Sequence, residues 1–195
     1  MSEEERLIAA ASRGDADAFE KLVRSRQEKV FWTAYQVVGH IEDARDVAQH
    51  VFLRLWQVLP RYRPAGPFSA WLHRITVNLA IDACRRRQAR PELPASDRLE
   101  PVAAPASGTP GSELRRREIQ QIFRTLARRL SPQQRAVFVL KEMNDLDTAE
   151  IAEIMELTPS TVRNHLHQAR KQLRRGLAAD FPEYLPGGSG RSDGR

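Results

Sequence analysis

Between Pro159 and Arg175 the chain carries side chains suited to one kind of chemistry. Ser160, Thr161, Arg163, Asn164, His167, Gln168, Lys171 and Arg174 are short hydroxyls, amides, an imidazole and cations, with no acid anywhere in the stretch. Such groups read the edge of a duplex rather than break bonds. Arg reaches guanine, Asn or Gln pairs with adenine, and Ser or Thr bonds backbone or base. Free N–H groups at a helix start add a seat for phosphate. The competing view of such a face is an ordinary solvated basic surface. What favours DNA is the setting.

That setting is written in start and stop signals. Ser131-Pro132-Gln133-Gln134 reads as an N-cap, a proline at the first helical position and a Gln three residues after the cap. Asp147-Thr148-Ala149-Glu150 repeats the device with an acid, and Thr158-Pro159 opens a last helix that Gly176 is expected to stop. The middle helix, about nine residues long, is too short to stand alone in water. Its Ala149, Ile151, Ala152, Ile154 and Met155 must therefore pack on neighbours. Val162, Leu166, Ala169 and Leu173 form an apolar stripe behind the polar face of the last helix. Two short helices joined by the tight turn Glu156-Leu157-Thr158-Pro159 make a helix-turn-helix.

Further toward the N-terminus, residues 3–13 predict a short helix ended by Gly14, and Asp15 caps a second helix over 16–38. A third helix is expected from Ile41 to Leu59 and a fourth from about Phe68 to Arg87. Each buries one face at three- and four-residue spacing. Nothing alternates with a period of two, so the fold class expected is all-α. The third helix turns Asp43, Arg45, Asp46, Gln49, His50, Arg54 and Gln57 outward. The fourth carries His73, Arg74, Thr76, Asn78 and Asp82 and ends in Arg85-Arg86-Arg87. Arg61, Tyr62 and Arg63 open the Pro/Gly loop before it. Aromatic and basic residues together suit single-stranded nucleic acid, whose bases need ring faces and whose phosphates need cations. Packing claims Trp71, in register with Ile75, for the core; Tyr62 could serve either purpose.

Composition sets the frame. The 195 residues carry 31 basic and 25 acidic side chains, net +6, which points to a polyanionic partner. Residues 1–90 and residues 113–195 each carry 15 basic and 11 acidic groups, so both halves are cationic. Between them, residues 91–112 hold five prolines, two glycines and no aromatic residue, a composition that cannot bury enough to order itself. Stretched, 22 residues span about 75 Å, and as a coil about 25 Å, enough to separate two contacts by one or two duplex turns of about 34 Å. The organisation expected is a helical domain over 1–90, a flexible linker over 91–112, a helix-turn-helix domain over 113–178 and a disordered tail over 179–195. The single cysteine, Cys84, excludes an internal disulfide framework. The acidic MSEEER start and the lack of any long apolar run predict a cytoplasmic chain without membrane insertion.

DARDVAQHVFLRLWQ at 43–57 followed by FSAWLHRITVNLAIDACRRR at 68–87 resembles the second conserved region of extracytoplasmic-function (ECF) sigma factors of the sigma-70 family. Residues 130–175 are similar to that family's fourth region. The resemblance implies a transcription initiation factor that binds core RNA polymerase, recognises promoter DNA and promotes its melting. It implies docking on the clamp helices of the β′ subunit through Asp43, Asp46, Gln49, Phe52 and Trp56. It implies capture of the −10 element's non-template strand by Arg61, Tyr62, Arg63, Asn78 and Arg85. Ser160, Thr161, Arg163, Asn164, His167, Gln168 and Lys171 would read the −35 element, with Arg170 and Arg174 on phosphate or polymerase and the β flap as a further partner. An anti-sigma factor is the expected regulator. No cofactor, metal or catalytic residue is implied.

The family's pattern usually has an acid where His50 stands, and a larger side chain where His167 stands. Two other functions compete. A DNA-binding regulator with an N-terminal sensing domain would bind duplex promoter DNA without polymerase. An enzyme could start from Asp43 and Asp46, three apart on one helix face and able to share a divalent ion, but no second acidic cluster or nucleophile–base pair accompanies them.

Overall fold

A computed structural model describes residues 2–62, 66–89 and 110–185. The N-terminal half holds α1 (Glu3–Ala11), α2 (Ala16–Val38), α3 (Ile41–Val58), a single 3-10 turn (Leu59–Arg61) and α4 (Phe68–Gln88). Local chemistry sets their limits. Ser2 Oγ accepts from the Glu5 amide at 3.2 Å while Glu5 Oε2 accepts from the Ser2 amide at 2.7 Å, a reciprocal cap. Asp15 Oδ1 takes the Ala18 amide at 3.0 Å. Gly39, at φ 75°, closes α2 with its N–H on the Tyr35 carbonyl at 2.8 Å, a left-handed cap that glycine adopts without steric cost. Leu22, Val30, Ala34, Val47, Val51, Leu55 and Leu72 fill the space between α2, α3 and α4.

The C-terminal half holds α5 (Pro110–Ala127), α6 (Pro132–Glu142), α7 (Thr148–Met155) and α8 (Pro159–Asp180), then a 3-10 turn (Pro182–Tyr184). The expected caps form. Ser131 and Gln134 make a reciprocal box, as do Asp147 and Glu150, and Thr158 Oγ1 accepts from the Thr161 amide at 3.2 Å. Glu156 ends α7 at φ 55°, a left-handed conformation that costs a residue with a Cβ about 1 kcal/mol. Val137, Leu140, Ile151, Ile154, Val162 and Leu166 form the core of this half, and Phe123 stacks on Phe138 at 5.3 Å.

Three boundaries differ from expectation. Gly176 does not stop α8, which runs on to Asp180, and the following 3-10 turn orders residues expected in the tail. Gly176 is buried instead, where a Cβ would stand 2.7 Å from Leu126 Cδ2, so its bareness lets α8 close on α5. α5 begins at Pro110, inside the segment expected as linker. The linker up to residue 109 and the tail beyond residue 185 lie outside the described residues.

The two halves also pack together. α6 and α7 lie on α2 and α4, and one buried cluster runs through both halves. Arg135 Nη1 donates to the Val37 carbonyl at 2.8 Å, at the C-terminal end of α2 where helix carbonyls lack partners. Asn144 Nδ2 donates to Thr33 Oγ1 at 3.2 Å, Arg124 donates to the Tyr35 hydroxyl, and Arg74 pairs with Glu156. Thr33 through Val38 are consequently buried on every side of α2.

One buried group makes stability depend on pH. His73 is only 5% exposed, and burial, with Lys29 and Arg26 adding repulsion, pushes its imidazole down to about 4. The unfolded chain takes up that proton near pH 6.5. Stability therefore falls as pH drops from about 6.5 toward 4. The loss reaches about 2 kcal/mol at pH 5. Urea melts at pH 7 and pH 5 should show that gap in the wild type, and His73→Leu should shrink it; an equal gap in both would contradict the assignment.

Candidate nucleic-acid interface

The start of α8 is built as a display surface. Thr158 Oγ1 lies 2.8 Å from both Ser160 Oγ and Thr161 Oγ1, so three hydroxyls cluster beside the free amides of the first turn. Ser160, Arg163, Asn164, His167 and Lys171 are exposed at spacings of three, one, three and four, which is one helix face. Thr161 and Gln168 are half-buried on its flanks. Val162, Leu166 and Ala169 are buried on the opposite side, where α8 packs on α6 and α7. The structure thus brings the expected duplex-reading residues together. Arg174 is exposed, but Arg170 is tied back to Glu142 of α6, Nε to Oε1 at 3.2 Å.

On α3, Asp46, Gln49 and Trp56 are exposed and Phe52 is half-buried. Asp43 behaves differently. Its carboxylate receives Arg87 Nη1 at 2.6 Å, with His40 Nδ1 3.9 Å away, so it braces α3 against α4 instead of facing outward freely. The face includes a residue that sequence reasoning passed over. Leu53 is 54% exposed and completes the stripe 46, 49, 53, 56 beside Trp56, itself 40% exposed with its ring edge-on to Phe19 at 4.7 Å. A large aliphatic and an indole stand in water there beside an acid and an amide, a composition found at protein-docking faces. The available signal was an apolar side chain in register with Asp46 and Gln49.

The third surface is the groove along α4. Residues 51–90 contain eight arginines and one acid, Asp82. Arg61, Asn78 and Arg85 are exposed; Arg63 lies outside the described residues. Tyr62 is half-buried, its ring 4.6 Å from Trp71 and 5.9 Å from Phe68. Trp71, expected in the core, is half-buried too, and its ring walls two adjoining cavities. One, of about 460 Å³, is lined by Arg61, Tyr62, Gly66 and Arg74 and faced by Glu153 and Ile154 of α7. The other, of about 550 Å³, is lined by Arg54, Asn78 and Arg85 and faced by Met155 and Glu156. Flat rings, an amide and cations in a groove fit an unpaired strand. Cys84 lies beside α2 with its Sγ 3.6 Å from the Val37 carbonyl, and burial pushes its thiol up, with Arg135 pulling the other way. A thiolate is disfavoured there.

These surfaces define a bipartite all-helical DNA-binding protein, with a helix-turn-helix in its second half and a basic aromatic groove in its first. Comparison with known proteins carries this further. Residues 22–90 match the family Sigma-70 region 2, and residues 120–173 match the family Sigma-70, region 4. The chain is 30% identical over 171 residues to the ECF RNA polymerase sigma factor SigM of Mycobacterium tuberculosis, covering 88% of this chain and 83% of that one. It is 29% identical over 181 residues to the ECF RNA polymerase sigma factor SigW of Bacillus subtilis, covering 87% and 94%. Among solved structures, CnrH in complex with the cytosolic domain of CnrY superposes with a TM-score of 0.67 at 25% identity, over 92% of this chain and 99% of that one. The sigma factor RpoE, solved with the anti-sigma factor NepR from Bartonella quintana, shares the fold at a TM-score of 0.63 and 18% identity, over 83% and 98%. The chain belongs to the ECF RNA polymerase sigma factors of the sigma-70 family. Among its described residues no helix is long and apolar enough to cross a membrane.

Proposed function

We propose that the three surfaces divide the work of promoter recognition. The α3 face, through Asp46, Gln49, Leu53 and Trp56 with Phe52 beneath, docks on the clamp helices of the polymerase β′ subunit. The α8 face reads the −35 element in the major groove, and the second half also meets the β flap. The α4 groove takes the non-template strand of the −10 element on Arg61, Tyr62, Arg63, Asn78 and Arg85, with Trp71 as an added ring wall. Flipping a base into it costs a few kcal/mol of stacking. Contacts with the strand and polymerase offset that cost, so melting draws on binding energy and the chain performs no bond chemistry of its own. In this reading residues 1–90 make the polymerase and −10 contacts, residues 113–178 make the −35 contacts, and residues 91–112 are the tether, less the first turn of α5 from Pro110.

One observation carries this reading: an exposed apolar stripe on α3, a basic aromatic groove along α4 and an acid-free polar face on α8 are three distinct surfaces, as a protein serving polymerase and both promoter elements requires. The chain works in the cytoplasm, where polymerase is. Both solved relatives above carry a protein partner, CnrY or an anti-sigma factor. A comparable anti-sigma factor, covering these faces, is the proposed regulator here. Footprinting on genomic promoter fragments tests the reading. Protection of two elements about two helical turns apart should need both this chain and core RNA polymerase. Equal protection by the chain alone would instead indicate a free-standing DNA-binding regulator.

A further inference from the structure

α1 takes no part in the three surfaces described above, yet it backs one of them. Its nine residues are too few to stay helical alone in water. Leu7, Ile8 and Ala10 lay a small apolar face on the core, and Ala11 is buried. α1 packs on α2 and on the 3-10 turn Leu59–Arg61, which leads straight into Tyr62.

Tyr62 forms one wall of the cavity before α4, and several contacts fix it there. Its N–H donates to the Leu59 carbonyl at 3.0 Å, which ties the residue to the 3-10 turn. Its hydroxyl donates to the Gly66 carbonyl at 3.5 Å, so the phenol bridges the two ends of the loop. Its ring rests on Trp71. The place of the wall therefore follows the place of the turn, and α1 lies against the turn.

Glu4, in the first turn of α1, joins these parts. Its Oε1 accepts from Arg26 Nη2 of α2, and the two side chains are only 36% and 26% exposed. The same carboxylate is felt at Tyr62. Burial raises that phenol above its ordinary value, and the Glu4 charge raises it further. Favourable charge at a helix start and the cap with Ser2 account for Glu3 and Glu5. They do not account for a carboxylate turned toward Arg26. An acid beside a wall that meets a polyanion is tolerable when a cation neutralises it, as Arg26 does.

We propose that Glu4 is a positioning residue for capture of the −10 strand: paired with Arg26, it seats α1 against the 3-10 turn and so sets the Tyr62 wall. Glu4 does not line the cavity and acts through Tyr62. This role presupposes the assignment of the α4 groove to single-stranded DNA.

The test uses holoenzyme assembled from core RNA polymerase and the full chain. The probe is a fluorescein-labelled single strand carrying the −10 element of a promoter from which the wild type starts. Tyr62→Ala should weaken strand binding about tenfold or more, the scale of one lost stacking face. Glu4→Gln should weaken it about threefold, the scale of one partly exposed ion pair, with polymerase affinity and −35 duplex binding unchanged. In Tyr62→Ala the further change Glu4→Gln should cost nothing more, since the two act as one unit. Glu4→Arg with Arg26→Glu restores the pair at the same net charge and should recover the strand affinity, a gain that a purely structural role in α1 folding would not produce. Thermal melts confirm that each variant is folded at the assay temperature. Tyr62→Ala weakening the strand while Glu4→Gln leaves it untouched would overturn the role of Glu4 alone. So would additive losses in the double variant, no recovery in the folded reversed pair, or a parallel loss of −35 duplex binding. Tyr62→Ala binding the strand as the wild type does would show that the groove assignment is wrong, and the role of Glu4 would fall with it.

Discussion

Leu53→Asp combined with Trp56→Ala is expected to lower affinity for core RNA polymerase by about a hundredfold or more. An exposed tryptophan at the centre of a docking face is worth about 2 kcal/mol or more when truncated, roughly thirtyfold in affinity. A carboxylate forced into the same apolar contact adds a desolvation cost. Leu53 is 54% exposed, so its replacement hardly touches the fold. Trp56 packs its edge on Phe19, and losing that contact costs about 1 kcal/mol of stability. Binding to immobilised core polymerase, with a thermal melt and duplex binding as controls, separates these effects. Asp46→Arg, on the same stripe but without ring packing, should weaken docking with no change in melting. Unchanged affinity in both variants would show that polymerase docks elsewhere.

Arg163→Ala should cut −35-dependent initiation by about ten- to a hundredfold while leaving polymerase affinity intact. The side chain is exposed near the start of α8, and among the described contacts it has no role in holding the fold. A good bidentate Arg–guanine pair carries about 1–3 kcal/mol of discrimination. Its removal should relax preference at one base position and spare the others. Initiation assays on a set of single-base −35 variants would show this as a flattened response at that position alone. A uniform loss across all variants would place Arg163 on phosphate. Parallel loss of polymerase affinity would place it at the protein contact.

The helix-turn-helix was legible because its signals are local. Ser131, Asp147 and Thr158 each cap the helix that follows, and the apolar spacing of α8 fixes which face must turn outward. Which side of α3 and of α4 stays polar followed from the same periodicity; the roles expected of those faces came from the family resemblance. The closure of one half on the other could not be read this way. It depends on single side chains meeting across about a hundred residues of chain, such as Arg135 on the Val37 carbonyl and Arg124 on Tyr35. The run Thr33 to Val38 is buried all round, where an amphipathic helix in one small module would keep a wet side, and that burial shows only in the folded chain. Gly176 misled for a related reason: a glycine that ends a helix and a glycine that lets two helices touch look alike until the neighbour is known. Asp43 was expected on a docking face from the family resemblance, and only the position of Arg87 shows that its carboxylate is already engaged.

Core RNA polymerase should take its choice of promoter from this chain. Transcription in vitro with purified core polymerase and a genomic fragment library tests it most directly. The account predicts discrete start sites that appear only when the chain is added, share two upstream elements about two duplex turns apart, and weaken with Arg163→Ala. The same starts with core polymerase alone, or no starts from any fragment despite an intact fold, would contradict it.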